Sequence, residues 1–178
     1  MRNPSRRRCA RIERRCGLPA LALSFRVSSQ DGLAQRRQQP QVQQLAQLCA
    51  IGPKGSWVLV KEVFGWREFS NRRELASSLG LAPTPHASGN IEREQGISKA
   101  GNRRVRSLLV ELAWNWLRLQ PDSVLTHWFD SRFGCAGGRQ RRVGIVALAR
   151  RLAVALWRYM KDGEIPAGAS LKPRALSA

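Results

Sequence analysis

The sequence predicts an all-α protein: a compact helical domain with a helix-hairpin-helix-like opening and a flexible basic arm in front of it. Three observations carry that prediction. Apolar residues recur at i, i+3, i+4 and i+7 in two long stretches, through Val105, Leu108, Leu109, Leu112, Trp116 and Leu119, and through Ile145, Leu148, Ala149, Leu152, Leu156 and Tyr159. No alternating apolar–polar run of four or more residues is found, so strand is not supported. The chain has 178 residues, 43% of them hydrophobic and 24% charged, which is ordinary globular usage and enough for one core with tails.

Taken in order, residues 1 to about 40 carry ten arginines against Glu13 and Asp31 and show no sustained period. By composition, residues 1–42 are a low-order basic arm. Two further readings stand beside it: an arginine-rich targeting peptide, opposed by interrupted clusters and a short apolar patch at Leu18 to Phe25, and a wrong-frame product of GC-rich DNA. The domain proper is expected over 43–172, with a tail at 173–178. A first helix is predicted from Val42 to Ile51, stopped by Gly52-Pro53. A second runs from about Ser56 to Phe64, and Gly65-Trp66 turns the chain.

Two short helices joined by Ile-Gly-Pro-Lys-Gly suggest a hairpin whose turn lets backbone N–H groups approach a phosphate, with Lys54 beside it. The usual glycine before the turn's apolar residue is Ala50 here, and a plain helical hairpin fits equally well. Ser70 is placed to cap a helix over Asn71 to Leu79, which Gly80 stops. A breaker-rich loop then carries Pro83, Pro85, Ser88-Gly89, Gly96 and Gly101. Asn102 to Leu119 is the clearest helix, and Ser123 to Phe133 a shorter one. After Gly134, Gly137 and Gly138, residues Arg139, Arg141 and Arg142 lead into a helix over Arg142 to Lys161. Gly163 and Pro166 end it, and the remainder reads as a frayed basic tail. Trp116, Trp128 and Trp157 lie at core spacing, although tryptophans among arginines also suit stacking on bases.

The sign of the charge narrows function. Thirty-one Lys+Arg against 12 Asp+Glu give a formal net charge of +19, which points to a polyanionic partner. No run approaches the roughly 18 apolar residues needed to span a bilayer, so nucleic acid is favoured over membrane. Cys9, Cys16, Cys49 and Cys135 form no Cys-x-x-Cys pair and the histidines are only His86 and His127, so a zinc site is not expected. Free thiols in a reducing cytoplasm are the simpler reading.

Lys99, Arg103, Arg104 and Arg106 crowd a helix N-terminus that already carries positive dipole charge. An anion bound there resolves the conflict, and a solvated basic face is the alternative. Arg93, Arg139, Arg141 and Arg142 are further candidate phosphate contacts. Glu92, Glu94, Glu111, Asp122 and Asp130 are too scattered for a self-sufficient metal-dependent nuclease. Ser88, in an Ala-Ser-Gly turn with Arg93, Lys99 and Arg103 near in sequence, is either a nucleophile or a serine that shapes a turn.

Leu79-Gly80-Leu81-Ala82-Pro83, Ala87-Ser88-Gly89, Gly96-Ile97-Ser98-Lys99-Ala100-Gly101-Asn102 and Arg106-x-Leu-Leu together resemble the C-terminal domain of the insertion-sequence transposases of the IS-one-ten (IS-one-sixteen/IS-nine-oh-two) group. The likeness extends from about 43 to 172, through Arg-Glu-Leu-Ala upstream and Ala-Leu-Ala-Arg downstream. It implies a DNA transposase in which Ser88 is the nucleophile. It also implies four magnesium-binding carboxylates in an N-terminal RuvC-like domain, a structured RNA that guides DNA choice, and a homo-oligomer. Ser98, the competing serine, is assigned to capping the following helix. Residues 1–42 do not supply the RuvC-like domain, so this chain resembles a C-terminal part with an unrelated arm, separated by truncation or frameshift. It is expected to bind nucleic acid alone without recombining it, and to bind no magnesium by itself. A non-enzymatic nucleic-acid-binding helical module is the competing class.

Overall fold

A computed structural model describes the backbone of residues 32–88 and 91–172, and the side chains of 39–83 and 96–172. Helix α1 is Gly32–Ala46, α2 is Pro53–Leu59 with a π-helical continuation Val60–Phe64, and α3 is Arg72–Ser78. Strands β1 (Pro83–Ser88) and β2 (Ile91–Ile97) follow, then α4 (Arg103–Leu119), α5 (Val124–Phe133) and α6 (Gly138–Asp162). The architecture is mostly helical, as the periodicity requires. Residues 1–31 of the arm expected over 1–42, and the tail at 173–178, lie outside the described residues.

The two long periodic stripes meet. Leu109, Leu112 and Trp116 of α4 and Ile145, Leu148, Leu152 and Leu156 of α6 share one core with Leu45, Leu59, Leu75 and Phe129. Trp116 is fully buried and its indole N–H donates to Ser123 Oγ at 3.1 Å, while Trp128 and Trp157 pack against the core edge. Burial of such side chains, worth about 1.5–3 kcal/mol each, holds the helices together. Helix α5 crosses α6 where Gly144 meets the Phe133 ring, which a Cβ at 144 would approach to 2.6 Å.

Helix boundaries depart from expectation for local reasons. Helix α1 starts at Gly32, inside the expected arm, and contains Pro40. It ends at Ala46, before the predicted Ile51, because residues 47–51 form a tight turn with Ala50 at φ 77°. Helix α2 starts at Pro53 instead of Ser56: proline at the first helical position needs no N–H bond and has the right φ. The cap of α3 is Asn71, not Ser70; Asn71 Oδ1 accepts from the N–H groups of Arg73 and Glu74, while Glu74 accepts from the Ser70 N–H. Helix α6 begins at Gly138, so Arg139, Arg141 and Arg142 sit in its first turns and not on a lead-in.

The stretch after Gly163 is not frayed as far as Lys172. Gly163 closes α6 with a left-handed φ of 72°, and the chain then returns across the domain. The Val124 N–H donates to Ala167 O, the Cys49 N–H to Ser170 O and the Lys172 N–H to Gln47 O, at 3.1, 3.1 and 2.7 Å. Lys172 Nζ donates to the carbonyls of Ala46 and Ile51 at 2.7 and 2.6 Å. Gln120, 1% exposed, ties the same region from the end of α4.

The breaker-rich segment between α3 and α4 is an antiparallel hairpin, a correction to the expectation of a loop. Its register pairs Ser88 with Ile91, Ala87 with Glu92, His86 with Arg93 and Pro85 with Glu94. The pairing shifts between Pro83 and Pro85, and Gly96, at φ 80°, lies opposite that irregularity as expected of a bulge glycine.

Candidate nucleic-acid interface

The hairpin's stem is a close crossing of two backbone segments. Gly80 has φ 66°, and a Cβ there would stand 1.9 Å from Ala100 O; Gly101 has φ 102°, and its Cβ would stand 2.1 Å from Ser78 O. The Ser98 N–H donates to Ala82 O at 2.9 Å and the Lys99 N–H to Gly80 O at 3.2 Å. Only glycine allows this approach and these dihedral angles. Lys99 itself takes a left-handed φ of 55°. Ile97, at the stem, packs against the main core.

Helix α4 starts directly from the stem. Its cap is Asn102, whose Oδ1 accepts from the N–H groups of Arg104 and Val105 at 3.0 and 3.3 Å. Ser98 therefore does not cap α4. Four residues of non-helical backbone, including left-handed Lys99 and Gly101, separate it from the first turn. Glu62, from the π-turn after α2, accepts from Asn102 Nδ2 at 3.0 Å and lies 4.0 Å from Arg104 Nη1. A carboxylate forty residues upstream thus supplies part of the negative charge that the basic helix start calls for, and sequence spacing carried no signal of it.

The predicted phosphate contacts separate into groups. Lys99 and Arg103 are exposed beside the hairpin stem, and Arg104 is exposed next to Glu62. Lys54 is exposed in the first turn of α2, beside Gly52, around which a Cβ would find open space. Arg139 and Arg142 are exposed in the first turns of α6. Arg141 instead lies over the rings of Trp114 and Phe129, 5.8 Å from each centroid. Arg106 is turned inward: its Nη1 donates to Lys99 O at 3.0 Å and to Leu79 O at 3.4 Å. The backbone places Arg93 in β2 opposite His86, and Ser88 at the end of β1, two residues from its partner strand.

The domain thus presents a clamped hairpin and a tight inter-helix turn, with exposed cations around both. Residues 42–127 match the Transposase IS116/IS110/IS902 family. The putative transposase y4rJ of Sinorhizobium fredii is 46% identical over 136 residues, covering 76% of this chain and 34% of the relative. The transposase for insertion sequence element IS1111A of Coxiella burnetii is 45% identical over 99 residues, covering 54% of this chain and 26% of the relative. The transposase for insertion sequence element IS1328 of Yersinia enterocolitica is 28% identical over 125 residues, 69% of this chain and 36% of the relative. The chain belongs to the IS116/IS110/IS902 transposase family. It spans about a third of the length of the curated relatives it matches.

Proposed function

We propose that this chain is the DNA-engaging, serine-bearing part of an insertion-sequence transposase. The observation that carries the reading is the conjunction of the family match over 42–127 with a hairpin that ends β1 at Ser88 and roots it beside Lys99, Arg103 and the start of α4. Ser88 is the nucleophile: its oxygen loses its proton and bonds to a DNA phosphorus as the bond from that phosphorus to one sugar oxygen breaks, the departing oxygen taking up a proton to leave as a hydroxyl. Exposed cations near the stem oppose the charge that accumulates on the phosphoryl oxygens. The 47–54 turn is a second phosphate contact, supported by left-handed Ala50, open space at Gly52 and exposed Lys54. Arg139 and Arg142 extend the basic surface, and Arg93 belongs to the hairpin itself.

Among the described residues no three His, Cys, Asp or Glu side chains come together as metal ligands. On this reading the magnesium that the resemblance implies belongs to the RuvC-like domain. Structured RNA and a homo-oligomer are partners of the fuller protein on the same reading. No described helix is long and apolar enough to cross a membrane.

The test combines binding with complementation. The 178-residue chain should bind duplex DNA with a strong salt dependence, six or more phosphate contacts lowering affinity about a thousandfold between roughly 50 and 200 mM salt. Supplied in trans to the preceding part of the Sinorhizobium relative, with magnesium and element-end DNA, it should support strand joining. Ser88→Ala should abolish joining and keep affinity. Joining that survives Ser88→Ala would assign the chemistry elsewhere, and salt-insensitive binding would remove the electrostatic basis of the reading.

A further inference from the structure

We propose that Arg106 is a positioning residue that clamps the root of the Ser88 hairpin, and is not a phosphate ligand. The proposal rests on the reading of Ser88 as the nucleophile, but its observations concern the stem alone. Two chain segments cross there in backbone contact: 78–80, leaving α3, and 99–101, leaving β2. Arg106, one turn into α4, donates from a single Nη1 to Leu79 O of the first segment and Lys99 O of the second, at 3.4 and 3.0 Å.

Both carbonyls favour such a donor. Leu79 is the C-cap of α3, where unpaired carbonyls and the helix dipole place negative charge. Lys99 O belongs to a left-handed residue whose N–H already serves Gly80 O. The same Nη1 would lie 2.5 Å from a Cβ at Gly80, so a side chain at 80 would displace the guanidinium and the Ala100 carbonyl together. Glycine at 80, glycine at 101 and arginine at 106 are thus one device. Two remove bulk so that the segments meet, and the third bonds both to α4.

The consequence is directional. A two-stranded hairpin has little stability of its own, so its orientation is set by how its root is held. The root bonds are Ser98 N–H to Ala82 O, Lys99 N–H to Gly80 O and the pair from Arg106. Of these described bonds, the pair from Arg106 reaches α4, whose buried face is fixed against α6. Arg106 therefore fixes the hairpin bearing Ser88 relative to the rigid body that presents Arg103.

The experiment compares Arg106→Gln with Arg103→Gln in the 178-residue chain. It measures amide hydrogen exchange at 83–97 relative to core amides such as those of Leu112 and Leu152, and the slope of log affinity against log salt on duplex DNA. Arg106→Gln should accelerate hairpin exchange by about tenfold or more relative to the core, because donors to two carbonyls are lost, and should leave the salt slope unchanged. Arg103→Gln should do the reverse, lowering the slope by about one. A slope lowered by about one in Arg106→Gln with hairpin exchange unchanged would make Arg106 a phosphate ligand and overturn the proposal. So would exchange that rises equally in hairpin and core, the mark of a general loss of stability. Should Arg106→Gln fail to fold, Arg106→Lys keeps the charge on a shorter stem, and the same two readouts decide. Failure of Ser88→Ala to abolish joining would sink the nucleophile reading and leave these exchange results standing.

Discussion

Gln120 is the residue whose loss should be felt in most places at once. Its Nε2 donates to Cys49 O at 3.0 Å and to Ser170 O at 2.9 Å, and its Oε1 accepts from the Ser170 N–H at 2.8 Å and from Ser170 Oγ at 2.9 Å. One amide thereby joins the end of α4, the 47–51 turn and the returning C-terminal segment. In Gln120→Leu the volume is roughly kept and these four bonds go. Ser170 O retains the Cys49 N–H, and the exposed Ser170 hydroxyl can turn to water. The stranded groups are Cys49 O and the Ser170 N–H, each costing about 1–3 kcal/mol, against about 1 kcal/mol recovered from the buried leucine. The net cost is about 1–5 kcal/mol, and the melting temperature falls by about 2–4 °C for each kcal/mol in a chain of this size. Thermal and urea unfolding followed by circular dichroism measure it, and limited proteolysis should show earlier cleavage near residues 166–172. A loss below about 0.5 kcal/mol, with unaltered proteolysis, would refute the idea that this amide carries the junction.

Four further outcomes follow from the same geometry. Ala50→Gly should stabilise the chain by about 0.5–1 kcal/mol in urea unfolding, since a left-handed alanine costs about 1–2 kcal/mol and glycine returns part of that gain as unfolded-state entropy. Gly101→Ala should destabilise by about 3 kcal/mol or more, because both its positive φ and the 2.1 Å approach to Ser78 O forbid the methyl group; unfolding at or near the wild-type midpoint would contradict the stem crossing. Lys54→Gln should lower the slope of log DNA affinity against log salt by about one without changing the melting temperature. Tyr159 has its phenol pushed above the ordinary value of 10.0 by burial, and its hydroxyl donates to Gln44 O at 3.2 Å. A raised folded pKa means a contribution fully present below pH 10 and lost as pH rises through the folded value. Stability should therefore fall above about pH 10, and Tyr159→Phe should flatten that fall.

What was legible in the sequence was what repeats. The stripes of α4 and α6 specify their own buried faces, and Ser123 before a periodic run marks the start of α5 correctly. The caps of α3 and α4 differ from expectation in one way: Asn71 and Asn102, not Ser70 and Ser98, stand immediately before the helices, and asparagine caps as well as serine. The hairpin carries no alternating apolar–polar signal because Pro83, Pro85, Gly89 and Gly96 interrupt its sequence. The available signal was Gly89-Asn90, a two-residue pair of the kind that joins hairpin strands, between Ser88 and Ile91. Glu62 beside Asn102, Gln120 beside Ser170 and Lys172 beside Ala46 lie 40, 50 and 126 residues apart and follow no period, so only the folded chain reveals them.

Those long-range contacts share a pattern that bears on function. The two places proposed to touch DNA are the 47–54 turn, which buries Leu48 and Ile51 in the main core, and the hairpin, whose root packs Ile97 against it. Each is held by polar bonds from a rigid helix or from the returning chain: Gln120 and Lys172 on the first, Asn102 and Arg106 about the root of the second. A protein that must present a serine and backbone amides to a phosphate at fixed distance cannot leave such segments to fluctuate, since a displacement of about 1 Å can cost about a hundredfold in rate. Arginine at 106 is therefore better used inward than outward. An exposed cation adds one interchangeable charge to a chain with a formal excess of nineteen, whereas an inward guanidinium sets the direction of the one element that carries Ser88.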